Sequence, residues 1–478
     1  MTSCIRRAAL WAALTFATVS HASGFYFGDN GTKTLLQGGA FAAQADDLTA
    51  IQHNPGGLAF QTGTSFLLDS QLLGHDIRFT RKDADGRVPT NLSTVTNRGG
   101  LFLLPNLGGG YNLSLAGRPF TVAFGVYGPP SVGRYLFNEP DYTREGTSYV
   151  ADPRKYAPNR YALIKNDVII LYPSLSASYA LHPRIAVGAS LQYVFSKFTF
   201  TQAVTSLLFP PARQFEEDPA FDSLVTVDLQ GQPAVTGILG VLAKPTDSFS
   251  VGASVRPPVP LTARGKFEIA LGEVARGLNT VVEGDQAQLN LTLPLEVRVG
   301  ARFSPSPAWG LNADVVYLGW QSVQELLLTP EISTQIGSGA MTPVEPLHIP
   351  KRWRHTLSGR LGGSYSFGFG LTTYAGFLVE ENASPTEYTN IDFLHPTRAI
   401  VAAGVGYRFG NFDFLLGGAY SPPVTLEVTQ SHVRAGNTDA SVQQACAQTP
   451  TCTVGLGTYV SGGYIATLGI RGRFGGAP

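Results

Sequence analysis

Charge, cysteine and long hydrophobic runs are all scarce in this 478-residue chain. Asp, Glu, Lys and Arg together make up 14% of it, against roughly 25% in an average soluble domain, an odd balance for a water-soluble enzyme. The 34 basic and 34 acidic residues cancel, so the chain offers no broad positive field of the kind nucleic-acid binding requires. Past the N-terminus no run approaches the roughly 20 consecutive apolar residues of a membrane-crossing helix, and a mean hydropathy of +0.05 is too modest for a bundle of such helices. H-E-x-x-H, C-x-x-C, G-x-S-x-G and P-loop patterns are all missing, which removes the familiar starting points for catalysis and for a metal or cofactor site.

Only three cysteines occur. Cys4 falls in a leader: Arg6 and Arg7 form its basic start, Ala8 to Val19 its apolar stretch and Ser20-His21-Ala22 a small-x-small cleavage site, so residues 1–22 read as a signal peptide and the mature chain starts near Ser23. Cys446 and Cys452 remain, close together in a polar segment, and in an exported protein that spacing points to a small surface disulfide.

What the chain has in abundance is glycine, 54 residues, and two-residue alternation. Along the C-terminal run Val460, Tyr464, Ala466, Leu468, Ile470 and Phe474 share one strand face, while Ser461, Thr467, Arg471 and Arg473 occupy the other. A second run groups Leu291, Leu293, Leu295, Val297, Val299, Ala301 and Phe303 against Thr292, Glu296, Arg298 and Arg302. One face suits lipid and the other water, with Gly362, Gly404 and Gly406 on the presumed inner side.

Connections alternate in length. Short turns are expected at 116–119, 182–184, 244–248, 304–308, 366–368 and 409–411, and long stretches at 84–99, 129–160, 203–223, 271–285, 329–351, 381–396 and 428–456. Short turns at one end and long loops at the other are the layout of an outer-membrane barrel. The runs number about fourteen, giving an all-β transmembrane antiparallel barrel over 63–478, and a barrel of that width needs either a water channel or a plug. Residues 23–62, rich in Gly and Ala and without sustained alternation, supply a hatch.

Within that hatch, the stretch from Gly38 to Ala42, then Ala45-Asp46-Asp47, then Asn54-Pro55-Gly56-Gly57-Leu58 resembles the N-terminal pattern of the FadL family, with Gly56 where the family has Ala. Phe124 to Pro130 is similar to the family's third strand, Tyr172 to Leu175 and Val187 to Tyr193 to its fourth and fifth, and Gly404 to Phe409 to a late strand. The resemblance implies a fourteen-stranded barrel closed by an N-terminal hatch in a Gram-negative outer membrane, which takes up long-chain fatty acids or aromatic hydrocarbons without ATP. It further implies lateral exit through the wall at a kinked third strand.

Pro129 and Pro130, after Gly128, cannot donate ladder hydrogen bonds, so strand pairing should fail there or the long loop simply begins. Leu207, Leu208, Phe209 and Phe215 make one outer connection unusually apolar, a landing surface for a greasy solute or a self-packed loop. Phe25 and Phe27 reach a binding pocket if they act as the family's hatch residues do. Asp46 and Asp47 read as hydrogen-bonding groups of the hatch, and Asn54, Pro55 and Gly56 as turn chemistry that marks the fold and bears on gating. Glu296, Arg298, Arg302, Arg360, Arg408, Arg471 and Arg473 face inward, to pair across the lumen and hold the hatch or, through one Arg, to bind a carboxylate. Expected partners are a hydrophobic small molecule, outer-membrane lipid and lipopolysaccharide, with the protein acting as a monomer. A surface adhesion protein and an open porin are the alternatives.

Overall fold

The computed structural model describes residues 27–89, 93–128, 134–137, 142–145, 148–151, 157–205, 219–435 and 453–475. The leader 1–22, Phe25, Pro129, Pro130, Leu207, Leu208, Phe209, Phe215, Cys446 and Cys452 lie outside these residues.

Fourteen antiparallel strands follow one another around a ring. The first seven are β1 (Thr64–Arg81), β2 (Val95–Thr96 and Phe102–Leu115), β3 (Arg118–Tyr127 and Arg134–Leu136), β4 (Lys165–His182), β5 (Ile185–Thr205), β6 (Asp222–Gly231 and Ala234–Ala243) and β7 (Phe249–Arg256 and Val259–Ala270). The others are β8 (Val281–Leu293 and Glu296–Phe303), β9 (Trp309–Leu318 and Glu325–Gln335), β10 (Thr342–Pro343, Leu347–Pro350 and Thr356–Ser366), β11 (Leu371–Glu380), β12 (Arg398–Phe409), β13 (Phe412–Val428) and β14 (Gly457–Phe474). β14 closes the ring on β1 along its full length, from Thr64 opposite Phe474 to Arg81 opposite Gly457. No helix of the described residues is long and apolar enough to cross a membrane; the strands do so instead, leaving no backbone edge in lipid.

All six short turns sit at one end of the barrel, where the alternation of lengths places them. Several long connections are shorter than expected: β2 already begins at Val95 within 84–99, and β3 resumes at Arg134–Leu136 within 129–160. β9 pairs to Gln335 and β10 restarts at Thr342, which reduces 329–351 to 336–341, and α3 (Glu273–Gly277) occupies part of 271–285 before β8 begins at Val281.

Outward-facing Leu239, Val299, Val315, Leu361, Leu416 and Leu468 are all more than half exposed. Together with their neighbours they form a continuous apolar band that no soluble monomer would show to water. At the short-turn end the band finishes in aromatic contacts, Phe66 with Phe412 and Phe474, and Trp309 with Tyr365, the girdle expected where a barrel meets the lipid interface.

The grouping of Leu291 and Leu293 with Val297 to Phe303 requires correction. Leu293 is buried inside the barrel and so is Glu296, three residues later, so the phase of the alternation changes at Pro294-Leu295. The same reversal occurs in β7 between Arg256 and Val259, across Pro257-Pro258, and in β6 between Leu229 and Thr236, across Pro233. Proline cannot donate to the ladder, so each break is a place where one residue can be gained and every later side chain changes face. Below the breaks these strands turn apolar residues to lipid. Above them they turn apolar residues inward and show Asp228, Arg264 and Gln288 to the outside.

The hatch occupies the lumen. Its α1 (Thr32–Leu36), α2 (Ala50–His53) and the 3-10 turn Pro55–Phe60 are too short to be stable alone and are held by the wall. Wall glycines permit the contact: a Cβ on Gly376 would fall into the backbone of Gly38, and one on Gly252 into the carbonyl of Ala42. Gly376→Val is therefore expected to lift the hatch at a cost of about 1–3 kcal/mol, read as a lower unfolding midpoint and faster proteolysis within residues 27–62, with the barrel itself still inserted.

A candidate binding site inside the barrel

Three layers stack inside the barrel. At the long-loop end a cavity of about 310 Å³ is lined by Tyr161, Lys351, Arg352, Tyr388, His432 and Arg434 among others. Tyr388 stacks on His432 at 4.8 Å, and Lys351 is ion-paired with Asp392.

Ala162, Gln202, Leu347, Ile349 and Asp392 also line a smaller cavity of about 50 Å³ further in, whose remaining walls include Val227, Leu229, Leu289, Leu326 and Leu328. This apolar chamber exists because β6 and β8 have reversed face, with the reversed part of β7 packed into the same buried cluster. Trp320, Trp353 and Phe393 pack edge to face beside it, at 5.3 and 5.9 Å. Its polar atoms are few, so apolar carbon entering it leaves no hydrogen bonds unmade; at about 50 Å³ it admits part of a solute, and a whole one requires the surrounding side chains to shift.

Beneath the chamber lies a charged layer that fastens the hatch. Asp29 takes Arg298 at 2.8 Å and Arg360 in a second ion pair. Glu296 pairs with Arg298 and, at 2.5 Å, with Arg256. Burial alone would raise the pKa of Asp29, but the Arg360 and Arg298 guanidiniums outweigh it and hold the carboxyl at about 2. On the far side Arg471 reaches Asp47 at 3.1 Å, and Asp314 accepts the backbone N–H groups of Phe41 and Ala42, both at 2.7 Å. Of the inward charges expected from the sequence, Glu296, Arg298, Arg360 and Arg471 are buried in this layer. Arg302 donates to Asn312 at 3.3 Å, while Arg408 pairs with Asp413 and Arg473 reaches the Asp46 carbonyl, in both cases exposed to solvent.

The hatch residues singled out in the sequence are bonded in place. Asp46 accepts both hydrogen bonds of Lys33, at 2.8 and 2.6 Å. Burial opposes its ionisation, but Lys33 and the nearby Arg302 more than compensate, so its pKa lies below the ordinary carboxylate range. Asp47 caps the turn at Thr49, 2.8 Å from its N–H. Asn54 does more than turn chemistry: its Nδ2 donates to the carbonyls of Ala42 at 2.7 Å and Val241 at 2.9 Å, tying two hatch segments to β6, and its Oδ1 caps Gly56 and the turn that Pro55 begins.

Phe27 is buried against Leu73, Leu104, Ile400 and Ile465, with its ring edge-on to His75 at 4.4 Å and the Arg398 guanidinium 4.4 Å over its face. Gly128 is buried at the end of the first part of β3. Pairing of β3 with β4 runs from Phe120 to Tyr127 and resumes at Arg134. On the other side, β2 pairs with β3 only from Leu107 onward, although Phe102 to Asn106 are already paired with β1. Sequence reasoning missed His75, Tyr135 and His395, which meet around Phe27; their separation along the chain left no local signal.

The family described as outer membrane protein transport protein (OMPP1/FadL/TodX) matches residues 13–457. A comparison with curated proteins finds no match. Among solved structures the chain is similar to a Pseudomonas aeruginosa FadL homologue, at 16% identity and a TM-score of 0.70, over 95% of this chain and 100% of the other. It is also similar to the Pseudomonas putida toluene transporter TodX, at 14% identity and TM-score 0.63 over 95% and 100% of the two chains. For the Ralstonia pickettii toluene transporter TbuX the values are 15% and 0.61, over 94% and 99%.

Proposed function

Because this chain belongs to the OMPP1/FadL/TodX family of outer membrane transport proteins, we propose that it takes up hydrophobic small molecules passively across the outer membrane, with long-chain fatty acids and aromatic hydrocarbons as the two substrate classes. The observation that carries this reading is the inward turn of the apolar face in the outer halves of β6, β7 and β8, which places a greasy chamber between the loops and the hatch. Apolar solute entering it gains about 25 cal/mol for each Å² removed from water. Concentration difference then suffices to drive the flux.

Capture begins under the outer loops, where the cationic and aromatic cavity meets the chamber. Phe27, Asp46, Asp47 and Asn54 act in the hatch step that follows, because they hold the segment that must shift for substrate to descend. Lateral exit is supported by the interruption between β2 and β3, where one strand lacks wall pairing beside Gly128. The barrel works as a monomer, its ring being complete within one chain. An open porin fits poorly with a lumen crossed by buried ion pairs.

The test is uptake of labelled oleate and labelled toluene by Gram-negative cells that lack their own such transporter. Expressing this protein is expected to accelerate entry of one of the two at limiting concentration. Unchanged entry of both, and of a wider panel of hydrophobic compounds, would remove the proposal.

A further inference from the structure

Three aromatic side chains from distant parts of the chain meet beside the interruption between β2 and β3: His75 of β1, Tyr135 of β3 and His395 of the connection before β12. The His75 ring centroid lies 5.5 Å from that of Tyr135 and 5.7 Å from that of His395. Tyr135 is wholly buried and His395 is 3% exposed. Both ring nitrogens of His75, the hydroxyl of Tyr135 and Nε2 of His395 are shielded from solvent and have no hydrogen-bond partner among the described residues. Native proteins rarely leave one such group unmet, and four together mark a place where something polar belongs.

The surrounding charges say what kind of group fits. Arg398 is the nearby cation, and it is already engaged with Glu380 at 2.8 Å and with Nδ1 of His395 at 2.9 Å. Burial, reinforced by that guanidinium, drives the His395 pKa well below its ordinary value, so the ring is neutral. A carboxylate placed here would be buried without a counter-charge of its own. Neutral imidazoles and a phenol can each donate or accept, which matches a hydroxyl. Apolar surface adjoins these groups, since Phe27 packs edge-on against His75 and itself belongs to a buried cluster with Leu73, Leu104, Ile400 and Ile465.

We infer that His75, Tyr135 and His395 form a specificity site for one neutral hydroxyl oxygen carried by an otherwise hydrophobic molecule. The inference rests on the proposed passage of hydrophobic solute through this lumen and extends it beyond the two classes named there: among solutes of equal size, alcohols and phenols gain this contact, whereas the bare hydrocarbon and the carboxylate use the lumen without it. These three residues set selectivity, whereas the apolar chamber above sets affinity for the hydrocarbon portion.

The test is equilibrium dialysis of the purified full chain in detergent, with a detergent-only blank, against 4-propylphenol, propylbenzene and 4-propylbenzoate. The wild type is expected to bind the phenol at least about tenfold more tightly than propylbenzene, since a site built for a hydroxyl discriminates strongly against the analogue lacking it. Tyr135→Phe and His395→Leu should each remove most of that preference and leave propylbenzene binding unchanged, with barrel folding checked by heat-modifiable gel migration. Equal binding of phenol and propylbenzene by the wild type, as when a permanent water fills the site, would overturn the inference. So would tighter binding of the benzoate, binding of none of the three probes, or variants that weaken phenol and propylbenzene alike. Uptake by cells is a separate arm: a purified protein that discriminates the phenol while cells take up no hydrophobic compound would defeat the transport reading and leave the site standing.

Discussion

Replacing Leu289 or Leu261 by Asp is expected to reduce uptake of the preferred hydrophobic compound by about ten- to a hundredfold, the factor that corresponds to losing one leucine's worth of apolar burial, about 1.5–3 kcal/mol. Both side chains face into the outer lumen, Leu261 at 2% exposure and Leu289 at 4%; Leu289 lines the chamber, and Leu261 belongs to the buried apolar cluster around it. An ionised carboxylate at either position would draw water into it, and each molecule of substrate would then have to displace that water. The control lies one residue away. Gln288 faces outward on the same strand, and Gln288→Asp should leave uptake within about twofold, since surface substitutions away from special features are usually worth under 0.5 kcal/mol. Initial rates in whole cells, normalised to the amount of folded barrel in the membrane, supply the measurement. Equal loss for the inward and outward substitutions would mean that the chamber is not on the route.

A second large effect is expected at Arg298. Removing its guanidinium leaves Asp29 with Arg360 alone and Glu296 with Arg256 alone, all in a buried layer. Breaking a buried pair by deleting one partner typically costs about 3–5 kcal/mol, because the remaining charge stays desolvated. Arg298→Ala should therefore loosen the N-terminal end of the hatch, which would appear as ion conductance in planar bilayers and as rapid cleavage after residue 27, both slight in the wild type. The exposed pair Arg184 and Asp247 offers a comparison, since its removal should change neither readout. The sign of the pH dependence follows from Asp29. Its pKa is depressed to about 2, so its contribution is present above the ordinary carboxylate range and is lost only as pH falls through about 2; at pH 4 this latch should hold unchanged.

Much of the barrel was legible because lipid imposes a simple rule. Where a strand crosses hydrocarbon, every second residue must be apolar, and Val460 to Phe474 obeys that rule without interruption, as the exposure of Tyr464 and Leu468 on one side and burial of Thr467 and Arg471 on the other attest. The rule says nothing about the part of a strand that stands beyond the membrane. There Leu291 and Leu293 keep the same parity as Val299 yet face the opposite way. The available signal was a proline inside the run, with polar Gln288, Asn290 and Thr292 interleaved above it.

The inward arginines were recognisable as inward, but their partners were not. Arg298 finds Asp29 across 269 positions of sequence, a contact that only closure of the ring creates. Asn54 shows the same limit of local reasoning. Its bond to Gly56 follows from turn chemistry, whereas its bond to the Val241 carbonyl depends on where β6 happens to pass.

The most direct measurement is photo-crosslinking in intact cells with a diazirine-bearing hydrophobic probe of the class taken up, followed by peptide mapping of the labelled residues. Adducts are expected at inward Val227, Leu261 and Leu289, whose side chains line the outer lumen. Adducts confined to the lipid-facing Leu239, Val299 and Leu311, with none inside the barrel, would contradict passage through the chamber.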